Sequence, residues 1–361
     1  MAVPLSADTP RSPPPESPQP MKIRLLAIIV CLLPCLPSLK AQLSPVPTPP
    51  APPPILARPT ERPDPEQVAK LKSGPELPYR VDPNWPQLPD GMNFGECSGV
   101  DVDKDGNVWV FNRGSWPLVE FSRSGKMIKR WSTETFRVLS SHGVRVGPDG
   151  NLWCVDVQGH VIFKINPETG HILMVLGNRQ GTPGNNDAED AFDQPTNLAF
   201  RTDGNFYVSD GYVNGRVVEF TADGYYVRHW GKPGREDGQF TLVHDVVVDS
   251  KGLVYVADRQ NQRVQVFTED GKFITKWTGI GAPWGLVYVA GENAIYMCDG
   301  KYDRVVKLGL DGTVLGQFGS YGKAPGKLDY VHDITFDPAD GSIYTAEIKT
   351  WRVQKWVRQT K

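Results

Sequence analysis

The sequence has little cysteine, little histidine and almost no net charge. Its 361 residues include five cysteines and six histidines, and the formal charge at pH 7 is −2. A charge so close to balance excludes a basic field over the whole chain, so the composition does not indicate binding to nucleic acid or to an anionic membrane surface. A ligand must therefore be sought at a local site.

The few cysteines cannot all be paired. Cys31 and Cys35 lie in an apolar run near the N-terminus, which leaves Cys97, Cys154 and Cys298. Because three is an odd number, at least one of these has no disulfide partner within the chain. Cys154 and Cys298 occupy predicted strand positions in different repeats, where we interpret them as small buried hydrophobic residues without chemistry.

Helical periodicity and long apolar runs are also lacking in the main part of the chain. No stretch beyond the proline-rich segment shows a sustained 3.6-residue apolar period, which argues against a helical or an α/β fold. The apolar run from Leu25 to Leu39 follows Lys22 and Arg24, and it is too short and too interrupted by proline to span a membrane. We interpret it as a signal peptide.

These features divide the chain into four segments. We expect residues 1–20 to be a lead before the true initiator Met21, residues 21–41 a signal peptide, residues 42–75 a proline-rich linker, and residues 76–361 one repeat domain. The mature protein is then exported, to the periplasm or out of the cell, without a membrane span. A lipid anchor on Cys31 or Cys35 is the less favoured alternative, because neither has the usual preceding residues.

What the chain does contain is a sixfold repeat. Each unit has four short apolar strands separated by tight turns such as Asp-Gly, and units recur at intervals of roughly 40–50 residues, which is typical of β-propeller blades. When the units are aligned, one register position in the first strand holds Ser98, His142, Thr196, His244, Trp284 and His332. We therefore predict an all-β fold, a six-bladed β-propeller.

Two irregularities interrupt the repeat. The last unit stops after its third strand, and we expect the segment around Tyr79 to Trp85 to supply the missing one, so that the ring closes by joining the two ends of the chain. The longest interval, between His142 and Thr196, carries an extra loop at residues 181–190 that is rich in Gly, Asn and Asp. A solvated insertion is favoured there over a lid across the substrate.

Histidine occupies every second register position. The first strand of each propeller blade lines the central channel, so alternate positions lie about 120° apart on one ring. His142, His244 and His332 are thus predicted to converge on the axis and to bind one metal with a coordination position left open, as in catalytic zinc sites. The competing interpretation is that they are ordinary core histidines with satisfied hydrogen bonds.

Polar residues are predicted around this ring. Arg113 and Arg259 end the second strands of units one and four, and Tyr212 lies one residue further in unit three. Two guanidinium groups suit a carboxylate substrate, and a tyrosine beside a metal cation can act as a base. Alternatively, each is a surface side chain that packs on a neighbouring blade.

Several runs resemble one enzyme family. They are FNRG from Phe111, SHGVRVGPDGNLWCVDV from Ser141, QPTNLAFRTDGNFYVSDGYVNGRVVEF from Gln194, VHDVVV, VYVADRQNQRVQVF and VHDITF. Together they resemble peptidyl-α-hydroxyglycine α-amidating lyase, a six-bladed relative of the NHL-repeat propellers, over about Gly99 to Val357. The DGY-x-N-x-R and three-histidine motifs are specific to it, whereas NHL-type repeats alone are weak evidence.

The resemblance implies a lyase that splits a peptidyl or N-acyl α-hydroxyglycine into an amide and glyoxylate. It implies that His142, His244 and His332 bind zinc, that Tyr212 is the catalytic base and that Arg113 and Arg259 are active-site residues. It also implies a structural calcium held by the carboxylate of Asp333 and the main-chain carbonyls of Val100 and Val144.

The chain departs from the family pattern in two ways. The positions that carry the disulfide cysteines of the animal enzymes are here Asp193, Val213, Tyr255 and Val266, so neither disulfide is present. The chain also shows no copper-binding hydroxylating domain, so we expect the hydroxyglycine to be made by another protein.

Two other functions remain open at this level. One is a non-catalytic exported propeller that binds a protein or glycan and uses metal only to hold its channel together. The other is a calcium-dependent, lactonase-like hydrolase, for which carboxylate ligands rather than three histidines are expected. The sequence does not determine the oligomeric state.

Overall fold

The computed structural model describes residues 64–178 and 183–359, so the predicted lead and signal peptide, and part of the predicted linker, lie outside the described residues. It contains six four-stranded antiparallel sheets and almost no helix, which confirms the predicted all-β, six-bladed β-propeller. Within the described ranges no helix is long and apolar enough to cross a membrane.

The described chain begins with a short helix and an isolated strand. Helix α1 spans Pro65–Ala69 and strand β1 spans Tyr79–Val81. The four strands of the first blade are β2 (Cys97–Val102), β3 (Val108–Asn112), β4 (Leu118–Phe121) and β5 (Met127–Trp131). Those of the second blade are β6 (Ser141–Val146), β7 (Leu152–Asp156), β8 (Val161–Ile165) and β9 (Ile172–Leu176).

The next three blades repeat this arrangement. Blade three has β10 (Pro195–Phe200), β11 (Phe206–Asp210), β12 (Arg216–Phe220) and β13 (Tyr226–Trp230). Blade four has β14 (Val243–Val248), β15 (Val254–Asp258), β16 (Arg263–Phe267) and β17 (Phe273–Thr278). Blade five has β18 (Pro283–Val289), β19 (Ala294–Asp299), β20 (Arg304–Gly309) and β21 (Val314–Phe318), with a 3₁₀ turn at Ala290–Glu292.

Blade six combines the two ends of the described chain. It contains β22 (Val331–Phe336), β23 (Ile343–Glu347) and β24 (Arg352–Arg358), and its fourth strand is β1, which pairs with β24 in the register Tyr79 to Arg358. The residues before β1 lie along blade five and the connection that leads into it: Leu77 donates a main-chain hydrogen bond to Gln317 in β21, and Lys72 donates one to Gly279 between β17 and β18.

Hydrophobic packing between neighbouring blades holds the ring together. The three inner strands of each blade are almost wholly buried, whereas the outer strands are largely accessible to solvent; in β5 the more and less exposed residues alternate with the period of two along a strand. One hydrophobic cluster lies at each of the six blade interfaces among the described residues. Between blades one and two, for example, Phe111 and Phe136 pack with Phe163.

A β-bulge occurs at the same place in all six first strands. The pairing register shifts at Ser98, Thr196 and Trp284 and likewise at the three histidines. A bulged residue has no partner on the neighbouring strand, so its side chain can be redirected and its backbone groups are available for other bonds. Six bulges in one register therefore form a ring of redirected residues around the channel.

Candidate metal centre

The structure brings together the three histidines from the alternate bulges. His142 lies on β6, His244 on β14 and His332 on β22, and all three are buried. Their metal-ligating nitrogens lie within 4.8 Å of one another, and the ring centroids are 4.6–4.8 Å apart. Three ligands of this type at this spacing could hold one metal ion.

Main-chain carbonyls orient each imidazole. His142 Nδ1 lies 2.7 Å from the oxygen of Thr196, His244 Nδ1 lies 2.6 Å from that of Trp284, and His332 Nδ1 lies 2.7 Å from that of Ser98. Because a carbonyl only accepts hydrogen bonds, each Nδ1 carries the proton and each Nε2 keeps its lone pair. The three rings therefore present Nε2 lone pairs toward one another.

The surroundings keep these imidazoles neutral. Burial lowers the pKa of all three, in His332 to about 3. Neighbouring positive charge acts in the same direction, from Arg113 on His142 and His332 and from Arg259 on all three. Neutral imidazole is the form that binds a metal, so at neutral pH the site needs no proton release from its ligands.

Tyr212 stands against the histidine cluster. Its hydroxyl lies 3.2 Å from His142 Nε2 and 3.3 Å from His244 Nε2, and the side chain is only partly buried. A phenolic hydroxyl donates one hydrogen bond, so only one of the two lone pairs can receive it at a time. Of the predicted site residues outside the ring, this is the one whose hydroxyl contacts two of the ligands.

The loop that carries Tyr212 is fixed without a disulfide. Within the motif DGYVNGR, the Asp210 carboxylate accepts hydrogen bonds from Asn214 and from the guanidinium of Arg216, both at 2.9 Å. Arg216 also donates to the carbonyls of Asn186 and Ala188 in the insertion before blade three and to that of Ala191 just after it. The described part of this insertion, residues 183–190, is thus bonded to the Tyr212 loop; Gly181 and Thr182 lie outside the described residues.

Arg259 lies beside the tyrosine with little else to bind. It is buried, and its guanidinium packs over the Trp284 ring at 3.9 Å and donates to the Tyr212 hydroxyl at 3.4 Å. Within residues 64–178 and 183–359 it has no carboxylate partner. The guanidinium therefore carries a positive charge with donors left for a ligand.

Arg113 is placed near the ring but is already paired. Its Nη1 contacts the Glu96 carboxylate at 2.6 Å, and its Nε donates to the main-chain oxygen of Ser141, the residue before His142. The structure thus brings both predicted arginines to the site, but they differ in their partners. Glu96 was not singled out in the sequence, because no other blade has a carboxylate at the corresponding position, two residues before the shared register.

The three groups predicted to bind calcium surround an arginine instead. The Asp333 carboxylate and the carbonyls of Val100 and Val144 all accept hydrogen bonds from Arg145. These residues do not fit a calcium ion in this arrangement, because the Arg145 guanidinium already stands among their oxygens. The reaction proposed for this centre does not involve calcium.

The remaining cysteines and histidines lie apart from this centre. Cys97, Cys154 and Cys298 are free and buried, and burial raises the pKa of each thiol, so they are unreactive at neutral pH. The other described histidines, His160, His171 and His229, take no part in the three-histidine cluster.

Comparisons with known proteins identify relatives of two kinds. The NHL repeat model matches residues 240–267. Human NHL repeat-containing protein 3 is 30% identical over 304 residues, covering 77% of this chain and 84% of the relative. Drosophila melanogaster peptidyl-alpha-hydroxyglycine alpha-amidating lyase 1 is 26% identical over 345 residues, covering 81% and 62%.

Longer enzymes contain a similar segment. Xenopus laevis peptidyl-glycine alpha-amidating monooxygenase B is 29% identical over 315 residues, which is 76% of this chain, and the chain spans only 35% of its length.

A solved streptogramin B lyase structure shares the fold, with a TM-score of 0.57, 15% identity and coverage of 78% of this chain and 98% of that one. The six-bladed architecture, the sequence matches and the three-histidine centre agree: the chain belongs to the family of NHL-repeat propellers that includes the peptidyl-α-hydroxyglycine α-amidating lyases.

Proposed function

We propose that the protein is a zinc-dependent lyase that cleaves a peptidyl or N-acyl α-hydroxyglycine into the amide and glyoxylate. The observation that carries the proposal is the convergence of three carbonyl-oriented imidazole lone pairs with the hydroxyl of Tyr212 against two of them. Three neutral imidazoles suit zinc better than calcium, which prefers oxygen ligands. This preference argues against the lactonase-like alternative.

Zinc bound to His142, His244 and His332 would supply Lewis-acid polarisation of a substrate oxygen. Tyr212 is the base that takes the proton of the substrate hydroxyl. The C–N bond then breaks as the hydroxyl carbon becomes the aldehyde of glyoxylate, and the proton passes from Tyr212 to the departing amide nitrogen. The products are the amide and glyoxylate, and Tyr212 returns to its initial state.

Arg259 is the better placed of the two arginines to bind the substrate carboxylate. Its guanidinium packs over the ring of Trp284 and donates a hydrogen bond to the hydroxyl of Tyr212. Its other N–H groups are free to bind a ligand. A planar fork of N–H groups matches a carboxylate in two hydrogen bonds. Arg113 contributes positive charge near His332 while it remains paired with Glu96.

The acyl part of the substrate has room beside Arg113. A cavity of about 460 Å³ opens there, and residues lining it include Phe94, Arg113, Gly114 and Trp351. Trp351 is 57% exposed and stands in the turn between β23 and β24. A large exposed aromatic beside a cavity is the kind of surface on which a peptide or acyl chain packs.

The segments before the propeller complete the proposal. We propose that residues 21–41 direct export and are removed, that residues 42–75 link them to the domain of residues 76–361, and that β1 closes the ring. The pairing of β1 with β24 supports the last point, since it covers a strand that would otherwise be an open edge.

The test combines metal content with turnover in the same preparations. An α-hydroxyglycine peptide is incubated with the wild type, His142→Ala and the control His171→Ala, whose histidine is exposed and outside the cluster. We expect one zinc per chain and glyoxylate release in the wild type and the control, and loss of both in His142→Ala. Wild-type zinc content and rate in His142→Ala would contradict the proposal.

A further inference from the structure

Arg145 is a largely buried cation in the channel, at a position where no other blade has a positively charged residue. It lies on β6, three residues after His142, and its side chain is 12% exposed. The corresponding positions of the other blades hold Asp101, Ala199, Val247, Val287 and Thr335. Blade two therefore differs from the other five blades at this position near the channel axis, and the contacts of the arginine explain the difference.

The guanidinium is bound on several sides. Nη1 donates to the carbonyl of Val144 at 2.8 Å, to Asp333 Oδ2 at 2.9 Å and to the carbonyl of Val100 at 3.4 Å. Nη2 donates to Asp333 Oδ1 at 3.0 Å and to Asp245 Oδ2 at 3.4 Å. The contact with Asp333 is thus a two-pronged arginine–carboxylate pair.

These partners belong to the strands that carry the metal centre. Asp245 follows His244 on β14, Asp333 follows His332 on β22, and Arg145 itself shares β6 with His142. Each carboxylate also accepts a main-chain N–H from the next blade, Asp245 from Leu286 at 2.7 Å and Asp333 from Val100 at 3.0 Å. Arg145 thereby connects all three histidine-bearing strands through side-chain contacts.

The same oxygens are those expected to bind calcium in related enzymes. A calcium ion takes six to eight oxygen ligands, and it cannot share the carboxylate of Asp333 and the carbonyls of Val100 and Val144 with a guanidinium already hydrogen-bonded to them. The carboxylates of Asp245 and Asp333 are neighbours and both are buried, so they require a positive charge close by. Arg145 supplies it from within the chain.

We propose that Arg145 is a built-in cation that takes the place of a structural calcium ion and positions the three histidines through Asp245 and Asp333. It is a positioning residue, since it does not touch the ligand nitrogens. The proposal makes the protein independent of calcium, a property that does not depend on whether the histidines bind zinc or on whether the protein is a lyase.

Calcium content of the wild type is the first test, and it needs no variant. The purified full chain is dialysed against calcium chloride or a calcium chelator, and bound calcium and the midpoint of thermal unfolding are measured. A calcium concentration of about 10 mM exceeds the dissociation constants of even weak extracellular sites. We expect no stoichiometric calcium and the same midpoint in both buffers. One calcium per chain, with a lower midpoint after chelation, would overturn the proposal.

The second test examines positioning by zinc affinity. Arg145→Ala is compared with Arg201→Ala, since Arg201 likewise contacts carboxylates, three in its case, but lies in blade three away from the channel. Loss of the support behind metal ligands typically weakens metal binding about 10–100-fold. We expect a loss of this size in Arg145→Ala, a smaller one in Arg145→Lys and none in Arg201→Ala; equal zinc affinity in all three would refute the positioning role.

Calcium should rescue the alanine variant specifically. Removal of the side chain frees the carboxylate and carbonyl oxygens, so added calcium, but not magnesium, should restore part of the zinc affinity of Arg145→Ala and leave the wild type unchanged. Absence of any calcium effect on Arg145→Ala would mean that these oxygens do not form a calcium site, and the replacement would be disproved. Should Arg145→Ala fail to fold, the calcium content of the wild type still decides this point.

Discussion

Tyr212 is the residue on which the proposed chemistry depends most directly. Its hydroxyl contacts two of the three histidines, and Tyr212 is not itself one of the three candidate metal ligands. We expect Tyr212→Phe to keep the fold and one zinc per chain and to lose about 10²–10⁴-fold in kcat, the usual cost of removing a general base. Zinc content, thermal midpoint and rate are measured on one preparation, and a rate near that of the wild type would show that Tyr212 is not the base.

The two arginines should respond differently to the same change. Arg259 keeps donors free for a carboxylate, whereas Arg113 is engaged by Glu96 and by the carbonyl of Ser141. A lost hydrogen bond to a charged group costs about 1.5–3 kcal/mol, so Arg259→Lys should raise KM roughly 10–100-fold. Arg113→Lys should raise it less. Steady-state kinetics on both variants checks this, and a larger effect at Arg113 would reverse the assignment.

At the scale of residues, the sequence predicts the three histidines but not the main-chain carbonyls that orient their rings. The alternation of histidine in the register was visible in the repeats, and the structure brings those three residues together. The carbonyls of Ser98, Thr196 and Trp284 occupy the intervening register positions, yet their role depends on backbone groups released by bulges. Residue identities do not encode a bulge that nearly any side chain can occupy.

At the scale of elements, the loop between β11 and β12 sets the position of Tyr212. Its support is the Asp210–Arg216 ion pair, in which both side chains are fully buried. Related pairs recur at the same place in blades four, five and six, between Asp258 and Arg263, Asp299 and Arg304, and Glu347 and Arg352. The repeat therefore supplies a general loop anchor, which in blade three holds the catalytic candidate.

Removing this anchor should destabilise the protein and misplace the tyrosine. Breaking a buried pair from one side costs about 3–5 kcal/mol, so Arg216→Met should lower the free energy of unfolding by that amount. Lys276→Met, which removes an exposed pair with Asp237, should cost less than about 1 kcal/mol. Denaturant unfolding measures both, and equal losses would mean that the buried pair is not the anchor. kcat of the folded Arg216→Met should fall with zinc content unchanged.

The elements themselves were largely predictable, because alternating apolar residues and Asp-Gly turns specify antiparallel strands directly. In these turns glycine adopts positive φ, as at Gly150 (78°) and Gly204 (89°). The docking of residues 64–77 on blade five was not predictable. It rests on main-chain hydrogen bonds such as that of Leu77 to Gln317, which leave no signal in composition.

For the whole molecule, closure of the ring is the main structural question. Tyr79 of β1 is buried, packs on Phe318 at 4.8 Å and meets Tyr296 edge-on at 6.3 Å. Loss of one buried aromatic costs about 3–5 kcal/mol. A chain that starts at Asp82 should therefore unfold at least about 6 °C lower than one that starts at Pro78, which retains β1.

The comparison of these two truncations isolates β1, because both lack the segments before residue 78. Differential scanning calorimetry gives the midpoints and the cooperativity of unfolding. Equal midpoints would mean that β24 remains stable as an open edge and that β1 does not close the ring.

The central claim concerns the molecule's activity, and glyoxylate release tests it most directly. Purified zinc-loaded protein is given a synthetic peptide that ends in α-hydroxyglycine, and glyoxylate and peptide amide are quantified with time, against a reaction without protein. We expect equal amounts of glyoxylate and peptide amide. Their release should stop when the metal is chelated and recover when zinc is restored. A folded protein with one zinc per chain that releases no glyoxylate above the protein-free reaction would contradict it.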